Sequence, residues 1–127
     1  MKFIILISSS HIFVCKLLAG ELVIAPQTTE AKVGDTTYFN CSTNLTSEEI
    51  FWYHGDKYVY IGEPIIDPYK ERFKIERTTS NLIHNLVIQS VKPSDAGEYT
   101  CVDNDGLGTK LSAYLLVLGQ FQSDEFS

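Results

Sequence analysis

The residues of this chain whose side chains could do chemistry are few: three widely spaced cysteines, three histidines, scattered serines and aspartates, and one Asn-x-Thr triplet. The histidines are His11, His54 and His84. No cysteine or carboxylate stands at ligand spacing from His54 or His84, so the pattern writes no zinc site. His84 shares strand parity with Leu82, Leu86 and Ile88, which places it at the margin of a core rather than on a metal. A serine nucleophile needs an elbow such as Gly-x-Ser-x-Gly, and none occurs. Gly106-Leu107-Gly108-Thr109 lacks the strand–glycine–helix setting of a phosphate loop. Neither catalysis nor a cofactor is expected. Asn44-Leu45-Thr46 is an N-glycosylation sequon on an expected loop. Asn40-Cys41-Ser42 fits the same rule, but its Asn lies within an expected strand, so Asn44 is the better site. Mass before and after deglycosylation decides between them.

What the cysteines do depends on compartment. The chain opens Met1-Lys2, runs apolar through Phe3-Ile4-Ile5-Leu6-Ile7, and reaches Leu17-Leu18-Ala19-Gly20. A basic start, a short apolar stretch and small terminal residues form a secretory signal peptide over residues 1–20, cut near Gly20. An anchor would need about 20 predominantly apolar residues, and Ser8-Ser9-Ser10-His11 interrupts the run. Cys15 leaves with the signal, and the two remaining cysteines make one bridge in an oxidising compartment. The 107 residues left amount to one small domain.

Leu111–Leu118 is too short to cross a bilayer, and residues 119–127 form a polar, acidic tail. The expected product is secreted, extracellular and without a membrane anchor. Loss of Lys2 and Lys16 leaves eight basic against sixteen acidic residues, a net charge of −8. Such a surface, with no clustered Lys/Arg face, excludes nucleic acid as a partner.

The elements that must position these residues are short strands of period two. Glu21–Ala25 is followed by Pro26, and Thr28–Val33 by Gly34-Asp35. Thr36–Thr43 alternates. Ile50–His54 turns at Gly55-Asp56 into Tyr58–Ile61. Arg72–Arg77 and Leu82–Val91 follow, then the corner Lys92–Gly97, then Glu98–Asp103 and Leu111–Leu118. No helical periodicity holds over a useful length. Strands at this spacing, each half apolar, read as an all-β sandwich.

Cys41, Trp52 and Cys101, with Asp95-Ala96-Gly97-Glu98-Tyr99-Thr100-Cys101 leading into the last, resemble an immunoglobulin-superfamily domain over residues 21–118, with mixed variable-type and intermediate-set features. The resemblance implies an immunoglobulin-like two-sheet Greek-key sandwich, with Cys41 on strand B, Trp52 on strand C and Cys101 on strand F. It implies that the bridge joins the two sheets with Trp52 packed against it. Tyr99 takes the place of the tyrosine corner. Arg72, opening strand D, is expected to pair with Asp95, and Gly97 completes the corner signature.

With Trp52, Cys101 and Val117 inward, parity sends Phe51, Tyr53, Thr100, Val102, Tyr114 and Leu116 outward on the C–F–G sheet. Asn40, Lys74, Glu76, Asn85 and Gln89 point outward on the opposite sheet, with Tyr38 and Val87 among them. One face is aromatic and aliphatic, the other mostly polar, and such a patch usually marks a contact surface. The expected partner-binding residues are Phe51, Tyr53, Val102, Tyr114 and Leu116. Tyr58 and Tyr60 extend the patch if the parity of strand C′ allows. The implied function is protein recognition or cell adhesion, with a protein ligand or a second copy as partner. The alternatives are a soluble decoy or modulator of a membrane-bound relative, and a structural domain or truncated piece of a longer multi-domain receptor.

Overall fold

A computed structural model describes residues 22–44, 49–62, 64–77 and 82–119. The expected signal peptide, its cleavage site and residues 120–127 of the tail lie outside the described residues. In chain order the strands are β1 (Leu22–Ile24), β2 (Thr29–Lys32), β3 (Thr37–Phe39), β4 (Ser42–Thr43), β5 (Phe51–His54), β6 (Lys57–Tyr60), β7 (Phe73–Arg77), β8 (His84–Ile88), β9 (Gly97–Val102) and β10 (Lys110–Leu118). Burial follows the period of two. Thr37 and Phe39 are buried around exposed Tyr38, and His84, Leu86 and Ile88 are buried along β8. This is what a sheet with one dry face requires.

The fold is all-β, in two layers. One is a five-stranded sheet in the order β2-β10-β9-β5-β6, and the other a three-stranded sheet β3-β8-β7. A small β1-β4 pair extends the second layer, tied to it by a bridge between Ser42 and Ile83. Pairing is antiparallel throughout except for β2, which runs parallel to β10. Pro26, buried between β1 and β2, has no N–H to offer a ladder, and the chain changes sheets around it.

The single expected strand Thr36–Thr43 is in fact two pieces. At the break the Cys41 N–H donates to the Asn85 side-chain Oδ1 at 3.1 Å, so a side chain stands where a ladder carbonyl would. The Cys41–Cys101 disulfide joins this break to β9 and so links the two sheets. Around it the core is Phe39, Trp52, Leu86, Ile88, Tyr99 and Leu115, all fully or almost fully buried. Burying each such apolar side chain is worth about 1.5–3 kcal/mol. The Trp52 indole N–H, which must find an acceptor when buried, donates to the His84 carbonyl at 2.8 Å across the layers.

At the lower end the Tyr99 hydroxyl donates to the Asp95 carbonyl at 2.6 Å. Arg72 holds both Asp95 carboxylate oxygens, at 2.7 and 2.8 Å, and also reaches the carbonyls of Gln89 and Ser90. Burial alone would raise the Asp95 carboxyl, but the Arg72 guanidinium and the Lys92 amide outweigh it and hold it below the ordinary carboxylate value. The corner thus fixes the start of β9, and β9 carries the centre of the outer face.

Candidate functional site

The outer face of the five-stranded sheet is built by register. Tyr58 of β6 stands opposite Tyr53 of β5, Tyr53 opposite Thr100 of β9, and Thr100 opposite Ser112 of β10. The rings of Tyr53 and Tyr58 lie 5.2 Å apart, and the hydroxyls of Thr100 and Ser112 share a 2.7 Å hydrogen bond. Burial, with the neighbouring Tyr58 second, lifts the Tyr53 phenol above its ordinary value, so it stays a neutral donor at physiological pH. Along β10, Tyr114 (51% exposed) and Leu116 (46%) project freely, and Tyr58 (58%) does so at the other side. Phe51 and Tyr53 are half-buried.

Val102 departs from expectation: it is 1% exposed. It lies between Phe51 and Lys110 in the ladder, and the β9–β10 turn folds back over this corner. Asp103 organises that turn, its carbonyl accepting from the amides of Gly106 and Gly108 and its Oδ1 from that of Thr109. Gly106 sits on the Phe51 ring so closely that an added Cβ would stand 2.6 Å from Cδ2. A recess of about 290 Å³ remains, lined by Tyr53, Asp56, Thr100, Val102, Gly106 and Lys110 among others. Val102 is its wall and not a projecting contact.

Two contributors were missed or left open. Leu118 is exposed at the end of the β10 stripe, one position beyond the residues singled out. Tyr58 belongs to the face while Tyr60 is buried, with Arg77 5.4 Å from its ring centroid. The register between β5 and β6 shifts between Trp52 and Tyr53, and that irregularity breaks the alternation on which parity depends. On the opposite sheet Asn40, Lys74 and Glu76 are exposed and Asn85, Val87 and Gln89 half-buried, and Tyr38 stands exposed among them.

The other candidate groups are dispersed. His54 stacks on Tyr99 at 4.3 Å and contacts the Ala96 carbonyl and the Tyr69 hydroxyl. His84 is wholly buried, with Nε2 3.2 Å from Glu49 Oε1 but not aligned for a hydrogen bond. Among the described residues no group of three or more His, Cys, Asp or Glu side chains could hold a metal ion. Asn44 is exposed, and the rest of its sequon lies outside the described residues. Asn40 is exposed too, but Ser42 of its triplet is buried. No helix among the described residues is long and apolar enough to cross a membrane.

Known proteins share this architecture. The family model for the Immunoglobulin I-set domain matches residues 21–117. The mouse peroxidasin homolog is 35% identical over 98 residues, which are 75% of this chain and 6% of that protein. The mouse protein named Cell adhesion molecule-related/down-regulated by oncogenes is 32% identical over 110 residues, 84% of this chain and 8% of its own length. Among solved structures, DIP-gamma IG1+IG2 superposes with a TM-score of 0.67 at 16% identity, over 79% of this chain and 49% of that one. The RIG-5 IG1 homodimer gives 0.64 at 20% identity, over 74% and 92%. The chain thus spans under a tenth of the length of the curated relatives it matches. With the family match running from the first strand to the last over a disulfide-linked sandwich, the chain belongs to the immunoglobulin superfamily as an I-set domain.

Proposed function

We propose that this chain is an extracellular protein-recognition module that binds through the outer face of β5, β9 and β10, the C–F–G face, widened by β6. The observation that carries the reading is the exposure of Tyr58, Tyr114 and Leu116 beside half-buried Phe51 and Tyr53 on one sheet face. Aromatic side chains are enriched in interface cores, and a contiguous apolar patch on a monomer usually marks a contact. One relative is named for its relation to a cell adhesion molecule. Two structural neighbours are titled as Dpr1 IG1 bound to DIP-eta IG1 and as the RIG-5 IG1 homodimer. These names support a protein partner or a second copy. In this reading residues 1–20 direct secretion, Asn44 carries a glycan, and binding needs no cofactor and involves no catalysis. The domain then acts as an adhesion or modulating ligand.

A second reading takes the domain as one building block of a longer multi-domain receptor, its patch packed on a neighbouring domain. The small fraction of each curated relative that it covers favours this. A fluorescent tetramer of the purified chain, applied to a panel of cell surfaces, separates the two. Tyr114→Asp combined with Leu116→Asp should reduce staining by at least about tenfold without lowering the melting temperature, and Tyr38→Asp on the opposite sheet should leave it intact. Staining that survives the double substitution, or is lost equally with Tyr38→Asp, refutes the face. No staining of any cell favours the building block.

A further inference from the structure

The recess of about 290 Å³ on the C–F–G face carries opposite charges at its two ends. Asp56, in the turn after β5, stands at one end, and Lys110, opening β10, at the other. Both are exposed, and neither forms an ion pair with another described residue. Between them lie Tyr53 and Thr100, which face each other in the ladder. Lys110 is one strand across from Thr100 and nearer the β9–β10 turn, opposite Val102. Asp56 follows the far end of β5, on the other side. The two charges are therefore diagonal to each other across the Tyr53–Thr100 pair.

A face with this pattern is its own complement. Two copies meeting face to face in a closed dimer are related by a two-fold axis lying in the plane of contact. Let that axis cross the recess midway between Asp56 and Lys110, at right angles to the line joining them. Each Asp56 then meets the other copy's Lys110. An axis along the recess would instead lay Asp56 on Asp56 and Lys110 on Lys110, which is repulsive. Charge therefore selects one of the two arrangements.

The apolar residues fit the arrangement that charge selects. Side chains on the axis meet their own counterparts, which aromatic rings tolerate. Tyr53 and Tyr114 lie along this opposite diagonal. Tyr58, one strand out from Tyr53, and Phe51, on the side of Tyr53 nearer the β9–β10 turn, change places under the rotation, so each Tyr58 packs towards the other copy's Phe51. Glu98, opposite Tyr114, turns towards the Thr100 and Ser112 hydroxyls, whose shared hydrogen bond leaves one O–H to donate. We infer that the partner of this face is a second copy of this chain, held in a two-fold dimer by reciprocal Asp56–Lys110 pairs around a centre of tyrosines. The inference rests on the C–F–G reading and narrows it to self-recognition.

Sedimentation of the purified chain from micromolar to millimolar concentration tests it. Asp56→Lys alone and Lys110→Glu alone each put like charges at both contacts, and each should weaken self-association by at least about tenfold. An equimolar mixture of the two variants should associate to within about threefold of wild type, because every contact then joins opposite charges again. Both positions are exposed, so the variants should keep the wild-type melting temperature. A chain monomeric at millimolar concentration overturns the inference. So does a dimer indifferent to either reversal, or a mixture no tighter than its components. If a monomeric chain still stains cells, and loses that staining with Tyr114→Asp and Leu116→Asp, the face stands with a foreign ligand and only self-recognition falls.

Discussion

At the scale of single residues, His84 is the group most out of place: a wholly buried imidazole with no aligned hydrogen-bond partner for either ring nitrogen. Around it, Glu49 reaches Nε2, and Arg77 holds the same Glu49 oxygen at 2.8 Å. Burial lowers its proton affinity, Glu49 opposes that, and Arg77 adds to it, leaving the folded value below the ordinary one. The unfolded chain therefore binds the proton more readily, and stability present at neutral pH is lost as pH falls below about 6.5. Each tenfold difference in proton affinity contributes about 1.4 kcal/mol. Melting temperature should drop more steeply between neutral and acid pH in the wild type than in His84→Leu, and parallel curves would refute the linkage. Parity with Leu86 and Ile88 made the inward direction of His84 legible. Its guanidinium neighbour comes from β7 and its carboxylate neighbour from the segment before β5, which no local pattern reports.

Among the elements, the strands were readable wherever one face was dry, as in β8 and β10, because alternation there is enforced by burial. It failed where geometry departs from period two. The β5–β6 register shift hid the roles of Tyr58 and Tyr60, and an inserted Asn85 side chain divided one expected strand. The parity of Val102 was right and its exposure was not, since exposure depends on how a turn folds back. That turn depends on Gly106, with φ of 87° and no room for a Cβ against Phe51. Gly106→Ala should destabilise by about 1–3 kcal/mol, read as a fall in melting temperature. In a Phe51→Ala background the loss should be visibly smaller, because the ring it strikes is gone. Equal losses in both backgrounds would locate the strain elsewhere.

For the whole molecule, the bridge across a separation of 60 residues carries the largest single contribution. Closing a loop of that size is worth about 4 kcal/mol in the chain-entropy account, against total stabilities of about 5–15 kcal/mol. Cys41→Ala should lower the melting temperature by tens of degrees, at roughly 4–8 °C per kcal/mol; a purified variant melting within a few degrees of the parent contradicts this. The parallel run of β2 beside β10 has its own consequence. The chain enters β2 and leaves β10 at opposite ends of that pair, so tension along it drags the two strands past each other lengthwise. The rungs from Thr29–Leu115 to Lys32–Leu118 must then give way together instead of peeling one by one. Even after they yield, the covalent bridge keeps everything between Cys41 and Cys101 out of the stretchable length.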